Sequence, residues 1–229
     1  MTSRRGRFVT FEGLDGCGKS TQLERLAVAL RGRGLDVLTT REPGGTATGE
    51  RIRQLLLDVR TGRLDAHAEL ALMFAARAQH LHELIVPALA AGQIVLCDRF
   101  TDSSEAYQGG GRKLGNGAVL ELHRVLCGGL QPDITILMDS DVGSSVERAR
   151  RRNREKGTEV ADESRFESEN RSFFTRVHNT YLEIAKREPH RVAVVDARGT
   201  PEQTHAKILD LVLARLDLSV HAGRSRNAG

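Results

Sequence analysis

The chain has 229 residues, of which 39% are hydrophobic and none is tryptophan, so its core must consist mainly of Leu, Val, Ile and Ala. The net charge is +4, but 29 basic residues face 30 acidic ones once five arginines of the terminal segments are set aside: Arg4, Arg5, Arg7, Arg224 and Arg226. This balance argues against a nucleic-acid partner, and the short apolar runs argue against a membrane span or a signal peptide.

The sequence predicts strands alternating with helices. Five apolar or β-branched runs predict strands: RFVTFE at 7–12, DVLTT at 36–40, QIVLCD at 93–98, DITILMD at 133–139 and RVAVVDA at 191–197. Segments of helical period lie between and after them, at 19–33, 47–59, 66–91, 115–127, 142–152, 167–187 and 201–216. This order predicts an α/β fold with a five-stranded parallel sheet covered by helices on both faces. We expect one domain over residues 1–218 and a disordered tail at 219–229.

The cysteines give no sign of a disulfide or a metal site. Cys17, Cys97 and Cys127 are widely spaced, odd in number and without a pair at metal-ligand spacing. We therefore expect a reducing, cytoplasmic location.

A phosphate-binding loop follows the first predicted strand. Residues 13–20, GLDGCGKS, match the pattern G-x-x-x-x-G-K-[ST] ahead of a predicted helix, where backbone N–H groups converge on phosphates. We expect Lys19 to reach the β- and γ-phosphates of ATP and the Ser20 hydroxyl to coordinate Mg²⁺. The predicted ATP-binding residues are Gly13, Leu14, Asp15, Gly16, Cys17, Gly18, Lys19, Ser20 and Thr21. The alternatives are a glycine-rich turn with a solvated lysine and, for Cys17, a role in packing.

The loop alone leaves open a switch GTPase, a motor, an ABC-type ATPase and a small-molecule kinase. The sequence contains neither an N-K-x-D stretch for guanine recognition nor an L-S-G-G-Q signature. A dense polar run, DRFTDSSEAYQGGGR at 98–112, instead follows the third predicted strand. We expect this run to lie beside the phosphate loop and to complete the site.

Four blocks, in this order, resemble bacterial thymidylate kinases: FEGLDGCGKST, TREPGGT, FAARAQHL and the polar run at 98–112. The resemblance continues through SRFESENRSFFTRVHNTYLEIA to the last strand, so it covers nearly the whole chain apart from the tails. It implies a P-loop NTPase fold, transfer of the γ-phosphoryl group of ATP to dTMP giving dTDP and ADP, a requirement for Mg²⁺, and a homodimer. The long segment 66–91 can offer an apolar face for such a dimer.

The resemblance also implies how the acceptor phosphate is held. Its oxygens are ionised at pH 7, so catalysis requires positioning and charge neutralisation rather than a general base. In the family, the arginine matching Arg99 grips this phosphate with its planar fork, and the arginine matching Arg53 contacts it too. A solvated helix arginine is an equal alternative for Arg53. Asp98 is expected to hold Mg²⁺ through water or to pair with Arg99 or Lys19, with a purely structural carboxylate as the alternative.

Contacts to the nucleoside follow from the same resemblance. Asp15 would meet the deoxyribose 3′-hydroxyl, and Arg77 would bond a thymine carbonyl. Met73 holds the place of a phenylalanine that is common in the family, and Phe74 comes one residue later, so which of the two stacks on thymine stays open; core packing is the alternative. The remaining residues matched to the acceptor site are Pro43, Ser104, Tyr107 and Gln108. Of these, Tyr107 would crowd a ribose 2′-hydroxyl and Gln108 would reach the base, with helix capping and surface polarity as the alternative.

An arginine-rich segment follows the fourth strand. Residues 148–156, RARRRNREK, carry six positive charges, which by themselves suit a solvated helix face. Some thymidylate kinases place an arginine in the phosphate loop where this chain has Gly16, and the bacterial branch instead supplies charge from a lid. The resemblance therefore implies a lid at about 148–166, with Arg150 and Arg152 as catalytic residues beside Lys19 and Arg99. Arg151 and Arg154 are further candidates.

Two other functions fit parts of the sequence. One is a kinase for another nucleotide or nucleoside, which the effect of Arg77→Ala on pyrimidine use would distinguish. The other is a nucleotide-dependent switch or a DNA-associated ATPase, which would use the basic segments to bind a partner.

Overall fold

The protein is described here by a computed structural model covering residues 5–155, 166 and 169–217, with the backbone alone at residue 59 and at 152–155. Five strands form one parallel sheet: β1 Arg7–Glu12, β2 Val37–Arg41, β3 Ile94–Asp98, β4 Ile134–Asp139 and β5 Val192–Asp196. Their order across the sheet is β2-β3-β1-β4-β5, and every neighbouring pair runs parallel. The predicted sheet is confirmed, with strand boundaries within one residue of those expected.

Helices occupy the connections between the strands. They are α1 Lys19–Arg31, α2 Ala47–Leu57, α3 Ala66–His80, α4 Val86–Ala90, α5 Thr101–Ser104, α6 Asn116–Leu126, α7 Val142–Glu155, α8 Arg171–Arg187 and α9 Pro201–Arg215. A π-helical turn at Leu81–Ile85 joins α3 to α4, a second one at Glu105–Gly111 continues α5, and a short 3₁₀ turn spans Val59–Thr61. None of the described helices combines the length and apolarity that a bilayer crossing needs.

Alternation along β1 explains why helices cover both faces of the sheet. Val9 points to the face where Leu26 of α1 and Ile208 of α9 complete a buried cluster. Phe8, one residue earlier, points to the opposite face and meets the Phe100 ring edge-on, with 5.0 Å between ring centroids. Because successive side chains of a strand point to opposite faces, β1 is buried on both sides.

The segment after β3 is helical from Thr101 to Gly111, although its polarity and its three consecutive glycines are typical of a loop. The glycines have a packing function instead. A Cβ on Gly110 would lie 2.0 Å from the Thr180 hydroxyl oxygen, and one on Gly111 would lie 2.6 Å from the Phe173 ring. Helix α8 therefore lies directly on this backbone, and tertiary contact outweighs the low helix propensity of glycine.

The structure corrects two further expectations. Helix α8 begins at Arg171 rather than 167, because the Asn170 side chain accepts a hydrogen bond from the Phe173 N–H at 2.9 Å and caps it. Arg7 belongs to β1, 3.5 Å from Asp133, rather than to a terminal segment, which leaves 30 basic against 30 acidic residues in the body. Residues 156–165 of the expected lid and the expected tail lie outside the described residues, and the single domain stays a prediction.

The topology brings three loops to one edge of the sheet. Strands β1, β2 and β3 are parallel neighbours, so the segments that follow them, at 13–18, 42–46 and 99–100, meet at their carboxyl ends. This edge is where open α/β sheets bind ligands.

Candidate active site

The phosphate loop joins β1 to α1 and packs tightly against two other elements. Gly16 has φ +78°, and a Cβ there would lie 2.2 Å from the backbone oxygen of Ser145 and 2.9 Å from the backbone nitrogen of Ala149. Both atoms belong to α7, so the loop rests on the backbone of that helix. This contact is a physical reason why position 16 is glycine in this chain, since a larger side chain requires α7 to move.

The loop opens onto a polar pocket of about 500 Å³. Ten residues line it: Asp15, Gly16, Gly18, Lys19, Ser20, Thr21, Glu42, Arg53, Asp98 and Arg99. Lys19 is buried, and its ammonium donates to the backbone oxygens of Gly13 at 3.1 Å and Leu14 at 2.9 Å. Since Lys19 is not solvated, the alternative of a plain surface turn does not hold.

Cys17 has the packing role that was its alternative. Its side chain lies in the buried cluster around α1, and burial raises the pKa of its thiol. A buried thiol of raised pKa is unreactive.

Two oxygen-bearing side chains, Ser20 and Asp98, lie together beside the loop. The Ser20 hydroxyl donates to the Asp98 carboxylate at 2.7 Å, and the other Asp98 oxygen is buried without a hydrogen-bond partner among the described residues. The expected alternative pairings of Asp98 with Arg99 or Lys19 are therefore replaced by a pairing with Ser20. A hydroxyl and a carboxylate facing a phosphate pocket are the ligand types that Mg²⁺ prefers.

A second cavity, of about 610 Å³, adjoins the first and shares Asp15, Glu42, Arg53 and Arg99 with it. The rest of its lining comes from the segments after β2 and β3, from α2 and α3, and from one residue near α8: Pro43, Leu57, Met73, Arg77, Ser103, Ser104, Tyr107, Gln108 and Phe166. All but one of the predicted acceptor-site residues thus line one cavity joined to the phosphate loop. The exception is Phe74.

Arg99 lies where the two cavities meet. Its Nη1 donates to the Ser103 hydroxyl at 2.9 Å and the Tyr181 hydroxyl at 3.2 Å, while Nη2 donates to Asp15 and to the Tyr107 hydroxyl at 3.2 Å. The backbone of Arg99 has φ +74°, a left-handed conformation that L-residues adopt at a cost of about 1–3 kcal/mol. This strained turn aims the guanidinium back across the carboxyl end of β1.

The ion pair with Arg99 controls the charge of Asp15. Burial by itself would raise the pKa of Asp15, but the charges of Arg99 and then Lys19 outweigh it and hold this pKa well below its usual range. The Tyr107 hydroxyl donates to the second carboxylate oxygen at 2.9 Å. Asp15 therefore stays ionised and points toward Arg99, at the boundary between the two cavities.

A buried carboxylate, Glu12, is linked to Arg99 through two shared hydroxyl groups, those of Ser103 and Tyr181. Glu12 is on the same face of β1 as Phe8, and it accepts hydrogen bonds from the Phe100 N–H at 2.7 Å, the Ser103 hydroxyl at 2.6 Å and the Tyr181 hydroxyl at 3.0 Å. Burial, with a smaller contribution from the charge of Asp102, raises the pKa of Glu12 to about 7. Ser103 and Tyr181 thus connect Arg99 to a carboxyl group that titrates near neutral pH.

Arg77 enters the second cavity from α3 with one donor unused. Its Nε donates to Glu42 at 2.6 Å, and its Nη2 donates to the Phe100 carbonyl at 3.0 Å and the Ser104 hydroxyl at 3.1 Å. Its Nη1 is buried and has no hydrogen-bond partner among the described residues. An unpaired buried N–H costs about 1–3 kcal/mol, so this atom marks a place for a ligand acceptor. The Ser104 hydroxyl accepts a hydrogen bond from Arg77, and its side chain does not cap a helix.

Met73 and Phe74 have different surroundings. Met73 is half-buried and lines the second cavity, whereas Phe74 is fully buried in the core cluster that includes Leu70 and Ile85. The Phe74 ring lies beneath Arg77, with 4.6 Å from the guanidinium carbon to the ring centroid. Of the two candidates, only Met73 is in the cavity wall, because at helical spacing Phe74 turns toward the sheet.

Arg53 is buried rather than solvated, which corrects the alternative reading of that residue. Its side chain is 6% exposed, its Nη1 donates to the Pro43 carbonyl at 3.1 Å, and it lines both cavities. Glu42, which precedes Pro43, binds Arg77 and His80. Burial would raise the pKa of Glu42, but Arg77 and His80 outweigh it and lower this pKa.

The arginines of the lid are only partly within the described residues. Arg150 is exposed and donates to the backbone carbonyl of Glu169 at 3.2 Å, outside the lining of either cavity. The side chains of Arg152 and Arg154 lie outside the part of the chain that is described. Arg148, which was not a candidate, donates to the backbone oxygen of Gly16 in the phosphate loop at 2.9 Å.

Other site residues escaped the sequence analysis as well, among them Glu12, Glu42, Ser103, Phe166 and Tyr181. A usable signal existed for Glu12, since alternation along RFVTFE places it on a buried face. A usable signal also existed for Glu42, which lies within the TREPGGT block. Tyr181 comes from α8, far along the chain, and no local pattern points to its contact with Arg99.

Comparison with known proteins gives one consistent result. The family model described as thymidylate kinase matches residues 11–208. A thymidylate kinase of Desulfovibrio desulfuricans is 53% identical over 85% of this chain and 89% of its own length, and one of Trichlorobacter lovleyi is 46% identical over 93% and 100%. The crystal structure of thymidylate kinase from Ehrlichia chaffeensis superposes with a TM-score of 0.71 at 32% identity, covering 91% of this chain and 98% of that one. The chain belongs to the thymidylate kinase family and has the P-loop NTPase fold.

Proposed function

We propose that this chain transfers the γ-phosphoryl group of ATP to dTMP, giving ADP and dTDP, across the boundary between the two cavities. Membership of the thymidylate kinase family supports this reaction. The observation that carries it is the unpaired buried Nη1 of Arg77, in a cavity joined through Arg99 and Asp15 to a phosphate loop.

The acceptor phosphate is held by Arg99 and Arg53, which line both cavities. A guanidinium fork binds two phosphate oxygens at once and keeps its charge at any physiological pH. Lys19 and the loop N–H groups bind the donor phosphates on the other side. The two anions are thereby brought together with their repulsion neutralised, which is what in-line phosphoryl transfer requires.

Arg77 and Gln108 recognise the base, with Met73 and Phe166 as the apolar lining of its cavity. Arg77 Nη1 donates to a thymine carbonyl. Asp15 meets the 3′-hydroxyl of the deoxyribose, and Tyr107, held by its bond to Asp15, occupies the space that a ribose 2′-hydroxyl needs.

Ser20 and Asp98 would hold Mg²⁺, with phosphate oxygens and waters completing its coordination. When bound, the ion neutralises the charge of the donor phosphates. Ser20 supplies a hydroxyl ligand, and Asp98 orients that hydroxyl through the 2.7 Å hydrogen bond.

Arg150 and Arg152 supply charge to the transferring phosphoryl when the lid closes. Arg150 lies on α7, whose backbone touches the phosphate loop at Gly16, and this proximity of α7 to the loop supports the role.

The assembly is a homodimer in this proposal. Exposed apolar side chains on α4 and α6, Val86, Leu120, Val125 and Leu126, support it. Sedimentation velocity at micromolar concentration should give the mass of two chains, and a single-chain mass would reject the dimer.

The substrate assignment predicts a ranking of acceptors. In a coupled ADP-release assay, dTMP should have the highest kcat/KM, followed by dUMP, then dCMP and dGMP; one methyl group is worth about 1–3 kcal/mol, so some use of dUMP is expected. Arg77→Ala should lower kcat/KM for dTMP about 100-fold with little change in the KM for ATP. Arg60→Ala, at an 84% exposed arginine, is the matched control. Equal use of the four acceptors by the wild type would reject the function.

The lid arginines should act on turnover rather than on binding. Arg150→Ala and Arg152→Ala should each lower kcat about 10³-fold, since arginines that reach the transferring phosphoryl contribute that much, while the KM for dTMP stays within threefold. Arg171→Ala is the control, because Arg171 lines the same surface cleft as Arg150. Full kcat in both lid variants would show that the transition-state charge comes from elsewhere.

The raised pKa of Glu12 predicts a pH-dependent stability. Because its pKa rises from 4.5 unfolded to about 7 folded, its contribution to stability is complete below pH 4.5 and is lost as the pH rises through 7. Between pH 4.5 and 8 the wild type should lose about 3 kcal/mol of unfolding free energy relative to Glu12→Gln, measured in urea. Parallel pH profiles for the two proteins would contradict the assignment.

A further inference from the structure

The side chain of Gln108 is fixed at only one end. It is 1% exposed, lines the second cavity, and donates from Nε2 to Glu69 Oε1 at 2.9 Å. Its amide oxygen accepts no hydrogen bond from the described residues. The face that Gln108 presents to a base therefore depends on what Glu69 imposes on the other end.

Glu69 can impose one orientation because an ionised carboxylate only accepts hydrogen bonds. It must face the NH₂ end of the Gln108 amide, and this directs the carbonyl oxygen away from Glu69 and toward the cavity. The orientation thus follows from chemistry and does not depend on distinguishing the amide nitrogen from the oxygen.

Arg112 pairs the buried Glu69 carboxylate with a positive charge. The Glu69 side chain is completely buried, and a carboxylate out of water stays charged only when a cation is paired with it. Arg112 binds it as a fork, with Nε donating to Oε1 at 3.2 Å and Nη2 donating to Oε2 at 3.1 Å. Both carboxylate oxygens are therefore committed as acceptors.

Arg112 is itself fixed on three sides. Its guanidinium carbon lies 5.5 Å from the centroid of the Phe166 ring and 5.0 Å from that of Phe173, and its Nη1 donates to Glu169. A guanidinium held between two rings and two carboxylates has little freedom to rotate. The row from Arg112 through Glu69 to Gln108 is therefore pre-ordered before a base arrives.

We propose that Glu69 and Arg112 form a positioning pair that sets the base preference by fixing the orientation of the Gln108 amide. This inference rests on the proposed function. The cavity then offers a donor, Arg77 Nη1, and an acceptor, Gln108 Oε1. Thymine and uracil present the complementary carbonyl O4 and N3–H, whereas cytosine presents an amino group and an unprotonated N3, which is the reverse pattern.

Glu69→Gln tests the pair because it changes one atom and removes the constraint. The new amide either turns its NH₂ toward Gln108, which then flips, or turns it toward Arg112, which it repels. The ratio of kcat/KM for dTMP to kcat/KM for dCMP should fall at least tenfold, with the KM for ATP within twofold. Arg112→Lys, which keeps the charge but loses the fork, should lower the same ratio to an intermediate value.

Glu121→Gln is the matched control, since Glu121 pairs with Arg124 on the exposed surface of α6. It should leave the ratio unchanged. An unchanged ratio in Glu69→Gln, with only a lower melting temperature, would reduce the pair to a structural anchor and overturn the proposal. If Glu69→Gln fails to fold, Arg112→Lys decides by the same ratio. A wild type without preference for dTMP would overturn the proposed function instead, and that result is visible before any variant is made.

Discussion

The charge of Arg99, held at the boundary of the two cavities with 15% of its side chain exposed, is the feature on which the site depends. A guanidinium so far from water needs a compensating carboxylate and several acceptors, and Asp15, Ser103, Tyr107 and Tyr181 provide them. These residues come from three separate segments of the chain, since Ser103 and Tyr107 share the helical segment after β3. Satisfying one arginine therefore fixes the phosphate loop, the segment after β3 and α8 relative to one another.

The same arrangement leaves Arg99 able to accept a ligand. Its hydroxyl partners are neutral, because burial raises the pKa of Tyr107 and Tyr181 well above the usual value. Among the described residues, only Asp15 offers it a full negative charge directly, and Glu12 acts through intervening hydroxyl groups. An anionic phosphate can then compete for the fork without having to displace a saturated ion-pair network. The left-handed backbone at Arg99 contributes to this arrangement, because strain at one residue places the guanidinium at the boundary of the two cavities without a longer loop.

Local sequence was sufficient to predict the sheet, the phosphate loop and most helices, because alternation, helical period and glycine spacing express backbone constraints directly.

Local sequence failed to predict the structure where contacts between distant residues decide it. The glycines at 109–111 are typical of a loop, but α8 packs directly on Gly110 and Gly111. Arg53 resembles a solvated helix arginine, but its side chain is buried and donates to the Pro43 carbonyl. Met73 and Phe74 are neighbours in sequence, and only the direction of α3 relative to the sheet distinguishes cavity from core. The Glu12 network spans 169 residues in sequence through its bond to Tyr181, a separation that no window of sequence can contain.

The contact between Gly16 and α7 constrains how a chain of this kind can change. The backbone of α7 already fills the space that any side chain at position 16 would need, so an arginine cannot be introduced there unless the helix is displaced. A charged side chain at position 16 would therefore require the main chain of α7 to shift, and with it Arg148, whose guanidinium donates to the backbone oxygen of Gly16 at 2.9 Å.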